Sequence, residues 1–145
     1  MSQSVVLIFP TTITLESICQ MLREQWDQNL FVHLGRCNIE VQEPGNGVKY
    51  VSIGELVPAD EVHDDYLSNE DIPVEIQEKL RDTVFFHVAY NDYIFCSTVI
   101  QYLFSKLTHV QDRVWLDNDY GTLIPAETVL REFGINPLWD WRQSA

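Results

Sequence analysis

Short runs of β-branched and aromatic residues alternate along this chain with segments that have helical periodicity. The first run, residues 4–9, is continuously apolar after Ser4 and ends at Pro10, which predicts a central strand buried on both faces. Thr14 can then cap a helix. The apolar residues of that helix recur at spacings of three and four, as along one buried face: Leu15, Ile18, Cys19, Leu22 and Trp26.

The remaining pattern predicts a single layered domain. Further strands are predicted at residues 30–34, 38–43, 47–53, 83–90 and 112–116, with turns at residues 44–46 and 117–121. Helices are predicted at residues 73–81, after Asn91 or Asp92, and after Pro125. The chain has 145 residues, 46% of them hydrophobic, which suffices for one domain spanning residues 1–145. We expect an α/β or α+β sandwich with helices packed on one mixed sheet of about five to six strands.

Carboxylates exceed basic residues by a wide margin. Asp and Glu total 22, Lys and Arg total 9, and the formal net charge is -13. Nucleic acids and anionic membranes are bound through positive charge, so neither is an expected partner. An acidic surface attracts cationic molecules, so a basic protein partner is expected. The alternative is that the charge serves only to keep the protein in solution.

One segment concentrates this charge. Residues 54–72 contain few apolar residues and include Pro58, and they are predicted to form an exposed acidic loop. Tyrosine beside carboxylates suits a protein interface, because the ring supplies buried area and the carboxylates face Arg or Lys. The predicted partner-contacting residues are Asp60, Glu61, Asp64, Asp65, Tyr66, Glu70 and Asp71. The alternative is a solvated, self-repelling loop.

The sequence lacks motifs for catalysis or cofactor binding. It has no G-x-S-x-G motif, and its 6 glycines form no phosphate-binding loop. Its 4 histidines form no H-x-H or H-x-x-x-H pair, and the residues from Asp117 onward place glycine one position too early for a calcium loop. Cys19, Cys37 and Cys96 are far apart, which is typical of buried free thiols in a reducing compartment. We expect no enzyme, metal or cofactor.

Export and membrane signals are also missing from the sequence. Residues 1–4 carry no basic side chain, and the apolar run that follows them is too short for a signal peptide. No stretch approaches the ~20 apolar residues of a membrane helix. We therefore expect the protein to remain in the cytoplasm.

The C-terminal third resembles a known class of proteins. Residues 114–121 (Val-Trp-Leu-Asp-Asn-Asp-Tyr-Gly), a short helix, and residues 137–141 (Pro-Leu-Trp-Asp-Trp) are similar to the C-terminal end of small bacterial immunity proteins of polymorphic toxin systems. The preceding helix start, residues 90–93 (Tyr-Asn-Asp-Tyr), is similar in style. The resemblance implies an acidic α/β protein that inhibits one cognate toxin, such as a nuclease, in the producing cell. It transfers no site residues.

Two other functions stay open. A small enzyme or ligand-binding domain would need a pocket, for which His87, Tyr90 and Asp92 are the candidate lining residues. A structural subunit or homodimer would use Trp139 and Trp141 of the C-terminal tail as its interface. The alternative for these two rings is a clamp that covers the core.

Overall fold

A computed structural model describes residues 3–45, 47–57, 59–118 and 122–143. The turn residues Asn46 and 119–121, as well as Pro58, lie outside the described residues. Within the described ranges the strands are β1 (Gln3–Pro10), β2 (Leu30–His33), β3 (Arg36–Glu43), β4 (Gly47–Glu55), β5 (Thr83–Tyr90), β6 (Trp115–Asp117) and β7 (Leu123–Pro125). The α-helices are α1 (Leu15–Trp26), α2 (Ala59–Leu67), α3 (Val74–Lys79), α4 (Tyr93–Lys106) and α5 (Ala126–Ile135).

The strands form one sheet in the order β2-β3-β4-β5-β1-β6-β7, and every pairing in it is antiparallel. The prediction of one sheet covered by helices is confirmed, whereas the predictions of a mixed sheet and of five to six strands are wrong. The seventh strand, β7, has only three residues and contains Pro125. So short a segment has no periodicity to detect, and it becomes a strand because it pairs with β6 at the sheet edge.

β1 is buried on both faces, as its continuous apolar run predicts. Val5, Leu7 and Phe9 join the larger core on one side of the sheet, while Val6 and Ile8 join a smaller core on the other side. Successive side chains of a strand point to opposite faces, so a strand that is apolar at every position needs cover above and below. The sheet therefore carries helices on both of its faces.

The first face is covered by α1, α4 and α5. Thr14 caps α1, and its hydroxyl accepts a hydrogen bond from the Ser17 backbone N–H at 3.1 Å. α4 is the most enclosed helix, with six buried residues, which explains why its apolar residues are not confined to one stripe. Together these helices bury the larger core against β1, β3, β4 and β5.

The second face is covered over only part of its width. α2 and α3 pack over β1, β5 and β6 through Val62, Tyr66, Leu67 and Ile76. On β2, β3 and β4 the described residues of this face are exposed or half-buried, with the single exception of Gly54. The second face therefore consists of a helix-covered half and an open half, which meet at β5.

The C-terminal tail closes the first core. Trp141 is fully buried, and its ring lies 4.5 Å from Tyr93 and 6.2 Å from Phe133, centroid to centroid. The Tyr93 hydroxyl donates to the Trp139 carbonyl at 2.9 Å and accepts from the Trp141 backbone N–H at 3.1 Å. Trp139 is half-buried against Phe133. The structure agrees with the alternative in which these rings clamp the core, since Trp141 is fully buried and Trp139 packs on Phe133, and dimerisation stays a prediction.

We predict that the Trp141→Ala variant loses about 3–5 kcal/mol of unfolding free energy, because the substitution leaves a large cavity in the core. The measurement is urea unfolding followed by circular dichroism. Leu138→Ala is the matched control, since Leu138 is 80% exposed in the same tail. That control should stay within about 0.5 kcal/mol of the parent. Equal stability losses in the two variants would contradict the assignment of Trp141 to the core.

Candidate functional site

Most of the predicted partner-contacting residues lie on the outer side of α2. Asp60, Glu61, Asp64 and Asp65 are all exposed, and their spacings of three and four positions place them on one side of the helix. Val62 and Tyr66 occupy the opposite side and pack toward the sheet. Glu70 and Asp71 follow in the turn after the helix and are also exposed.

The prediction that residues 54–72 form a loop is wrong. The segment contains the end of β4, the nine residues of α2 and a turn. Its apolar residues are few, but Val62 and Tyr66 are four apart and Leu67 lies beside them, which is enough to bury one side of a short helix against an existing sheet face. The many carboxylates and Pro58 favoured a loop in the prediction from sequence, and this spacing was overlooked.

Tyr66 does not join the outer carboxylates. Its ring stacks on Phe85 of β5 at a centroid distance of 4.4 Å, and its hydroxyl donates to the Asp117 carboxylate on β6. His63 also faces the sheet, where its ring lies 5.9 Å from Phe85 and its Nε2 is 2.6 Å from the Leu80 carbonyl oxygen. These two aromatic side chains attach α2 to the sheet, so the carboxylates on its outer side face away from the sheet.

We call residues 59–79, which comprise α2, α3 and the segment between them, the acidic layer. It contains eight carboxylates and one basic residue, Lys79. All eight are exposed, and no ion pair of the described residues involves any of them. Their negative charges therefore add up instead of being neutralised one by one.

Some carboxylates elsewhere on the described surface are paired with cations. Glu24 pairs with Lys106 at 2.7 Å, Glu43 pairs with Lys49 at 3.0 Å, and Asp140 pairs with Arg142 at 2.6 Å. The hydrogen bond from Arg142 holds the pKa of Asp140 below its usual range. The acidic layer thus holds eight of the 22 carboxylates of the protein within 21 residues, with a single Lys among them.

The pocket proposed around His87, Tyr90 and Asp92 does not form. His87 and Tyr90 are three residues apart on β5 and point to opposite faces of the sheet. The Tyr90 hydroxyl donates to Gln3 Oε1 at 3.1 Å, and Asp92 caps α4 by accepting from the Phe95 N–H at 2.9 Å. Asp92 does line a cleft of about 360 Å³ with Tyr93 and Ile94, but His87 is not part of that cleft.

Sequence reasoning missed one polar cluster on the open half of the second face. The pairing register places Arg36, Gly54 and His87 side by side across β3, β4 and β5. Arg36 Nε donates to Ser52 Oγ at 2.8 Å, and Nη2 donates to the Ser52 carbonyl at 2.9 Å and contacts His87 Nδ1 at 3.3 Å. The sequence gives no signal for this cluster, because Arg36, Gly54 and His87 meet only through the cross-strand register, which a single sequence does not display.

Comparisons with known proteins give no match. No protein-family model, no curated protein and no solved structure matches the chain. In the described part of the chain, no group of His, Cys, Asp or Glu side chains has the geometry to hold a metal ion. No helix among the described residues has the length and apolarity needed to cross a bilayer.

We predict that Tyr66→Phe lowers the unfolding free energy by about 1–2 kcal/mol, because it removes the hydrogen bond to Asp117 while keeping the ring stacked on Phe85. Urea unfolding measures the change. Tyr50→Phe is the matched control, since the Tyr50 hydroxyl makes no hydrogen bond within residues 3–45, 47–57, 59–118 and 122–143. If the two variants were equally stable, the hydroxyl of Tyr66 would not help to attach α2.

Proposed function

We propose that this chain is a non-enzymatic binding protein that recognises the basic surface of another protein through its acidic layer. One observation carries the proposal: eight exposed carboxylates without ion-pair partners among the described residues lie together over one half of a sheet face. The contacts are the outer carboxylates Asp60, Glu61, Asp64, Asp65, Glu70 and Asp71. Tyr66 contributes by holding α2 in place.

A toxin domain that acts on nucleic acid is the partner class that this chemistry fits best. Such a domain needs a positively charged cleft to hold phosphates. A row of carboxylates on a short rigid helix can occupy the same cleft and exclude the substrate. The resemblance of residues 90–141 to immunity proteins supports the same class, and a producing cell's cytoplasm, where the free thiols of Cys19, Cys37 and Cys96 persist, is the compartment we propose.

Exposed charges of this kind act mainly on the rate of association. Salt screens them over about 8–10 Å at physiological ionic strength, so a single surface ion pair contributes only about 0–1 kcal/mol. A concentrated patch, by contrast, raises the local concentration of an oppositely charged partner and accelerates encounter by 10-fold or more. The carboxylates of the acidic layer therefore set the association rate and the selectivity, while other contacts at the same surface make the binding tight.

We predict that a variant with Asp60, Glu61, Asp64 and Asp65 changed to their amides associates more slowly with its basic partner. A control variant changes Glu16, Asp27, Asp112 and Glu127 to their amides. These four carboxylates are also exposed but lie outside the acidic layer. Since each variant loses four negative charges, both have the same net charge. Affinity capture from the source cells at low salt, followed by stopped-flow association with the captured protein, measures the effect. The acidic-layer variant should associate about 10-fold more slowly, and the control should match the parent.

Two results would contradict the proposal. If both variants associated equally slowly, net charge and not the acidic layer would be responsible. If the parent's association rate did not change between low and high salt, electrostatic attraction by these carboxylates would play no part.

A further inference from the structure

Arg36 is a cation held by neutral groups. Its guanidinium donates to the Ser52 hydroxyl and to the carbonyl oxygens of Ser52 and His87. Among the described residues no carboxylate lies within ion-pair distance of it, although the protein carries 22 acidic residues. Arg142 shows the ordinary arrangement, in which a guanidinium binds a carboxylate directly. The charge of Arg36 is therefore oriented but not neutralised.

The backbone is adapted to this guanidinium. A Cβ at position 54 would lie 2.5 Å from Arg36 Nη1 and 3.0 Å from Cζ, so any side chain there would displace the group. Without one, the guanidinium lies flat over β4 between Ser52 and His87. The 3.3 Å contact of Nη2 with His87 Nδ1 uses the lone pair of that nitrogen, which leaves the neutral imidazole proton on Nε2.

One end of the guanidinium has no partner in the described structure. Nε and Nη2 make all of the hydrogen bonds that Arg36 donates among the described residues, and Nη1 makes none. Arg36 is only half-buried, so a ligand can reach it. Burial lowers the pKa of the guanidinium, but an arginine remains protonated at neutral pH. A fixed planar cation with donors to spare is the ordinary means of binding a carboxylate.

We propose that Arg36, held by Ser52 and His87 over Gly54, is a binding site for a carboxylate on the open half of the second face. The site borders the acidic layer. Tyr66 of that layer stacks on Phe85, which lies two residues before His87 on the same face of β5. The net charge of -13 repels small free anions. The carrier favoured by this field is a basic protein that presents one acidic side chain, and for this carrier the inference rests on the proposed function.

Such a site would give the interface a fixed orientation. A basic surface attracted by the acidic layer alone can settle in many orientations, because point charges in water are not directional. A carboxylate that must reach Arg36 selects one of them, since the guanidinium offers donors in a rigid plane. The acidic layer then accelerates encounter, and Arg36 rejects basic proteins that lack an acidic residue at the matching position.

The test uses three probes and NMR of the ¹⁵N-labelled protein. The probes are sodium acetate, the peptide acetyl-Lys-Lys-Glu-Lys-Lys-amide, and the same peptide with Gln in place of Glu. Acetate, titrated to a concentration at which the salt screens the net negative charge, should give saturating shifts at the Arg36 Nε–H and at the amides of Ser52, Gly54 and His87, and sodium chloride at equal ionic strength should not. The Glu peptide should bind about threefold more tightly than the Gln peptide, as expected for one exposed ion pair.

Three variants assign these effects to the guanidinium. Arg36→Gln should abolish the acetate shifts and remove the preference for the Glu peptide. Gly54→Ala keeps the charge but displaces Nη1, so it should weaken both effects and provides the test if Arg36→Gln does not fold. Arg131→Gln removes the same charge from an exposed arginine on α5 and should behave as the parent.

The outcomes separate this inference from the proposed function. If the Gln peptide binds but the Glu peptide gains nothing and acetate causes no saturating shift, the carboxylate site is wrong while recognition of basic chains stands. If acetate binds through Arg36 but neither peptide binds, the site is supported and the proposed function is contradicted. Acetate shifts that persist in Arg36→Gln would overturn the site.

Discussion

The burial of β1 on both faces is the constraint on which the rest of the structure depends. An all-apolar central strand leaves Val6 and Ile8 facing away from the large helical core, so a second helical layer has to cover them. The only described helices on that side are α2 and α3, which lie in the most acidic stretch of the sequence. Because these acidic helices cover Val6 and Ile8, the burial of β1 also determines on which face the negative charge lies.

The acidic layer is stable because burial of its apolar side chains outweighs the repulsion between its carboxylates. Carboxylates four residues apart on a helix lie about 6 Å from each other and repel by only a few tenths of a kcal/mol when exposed. Burial of a side chain such as Leu80 or Phe85 stabilises by about 1.5–3 kcal/mol. A few apolar anchors thus outweigh the repulsion of many outer charges. Within the part of the chain that the structure describes, the open half of the same face has no such anchors, and no helix lies above Arg36 and Gly54.

The sequence predicts those parts of the fold that have a strong local signal. β5 spans Thr83–Tyr90 as predicted, and the cap at Thr14 forms. α2 and β7 were missed because each is specified by packing on an existing sheet, not by its own composition. Six of the seven predicted contact residues share the acidic surface, since charge can be counted in a sequence. Tyr66 faces inward and Arg36 lies beside His87 through cross-strand register, which no single sequence displays.

The central claim is that the fold gathers negative charge on the acidic layer, whereas the helices of the opposite layer, α1, α4 and α5, carry four carboxylates and three basic residues. Paramagnetic relaxation of backbone amide protons by a cationic and by an anionic nitroxide measures the potential near each amide directly. The account predicts that the cationic probe relaxes the amides of α2 several-fold more strongly than the anionic probe does, with a much smaller ratio on the outer side of α1 and α5. The same ratio on every helix would contradict it.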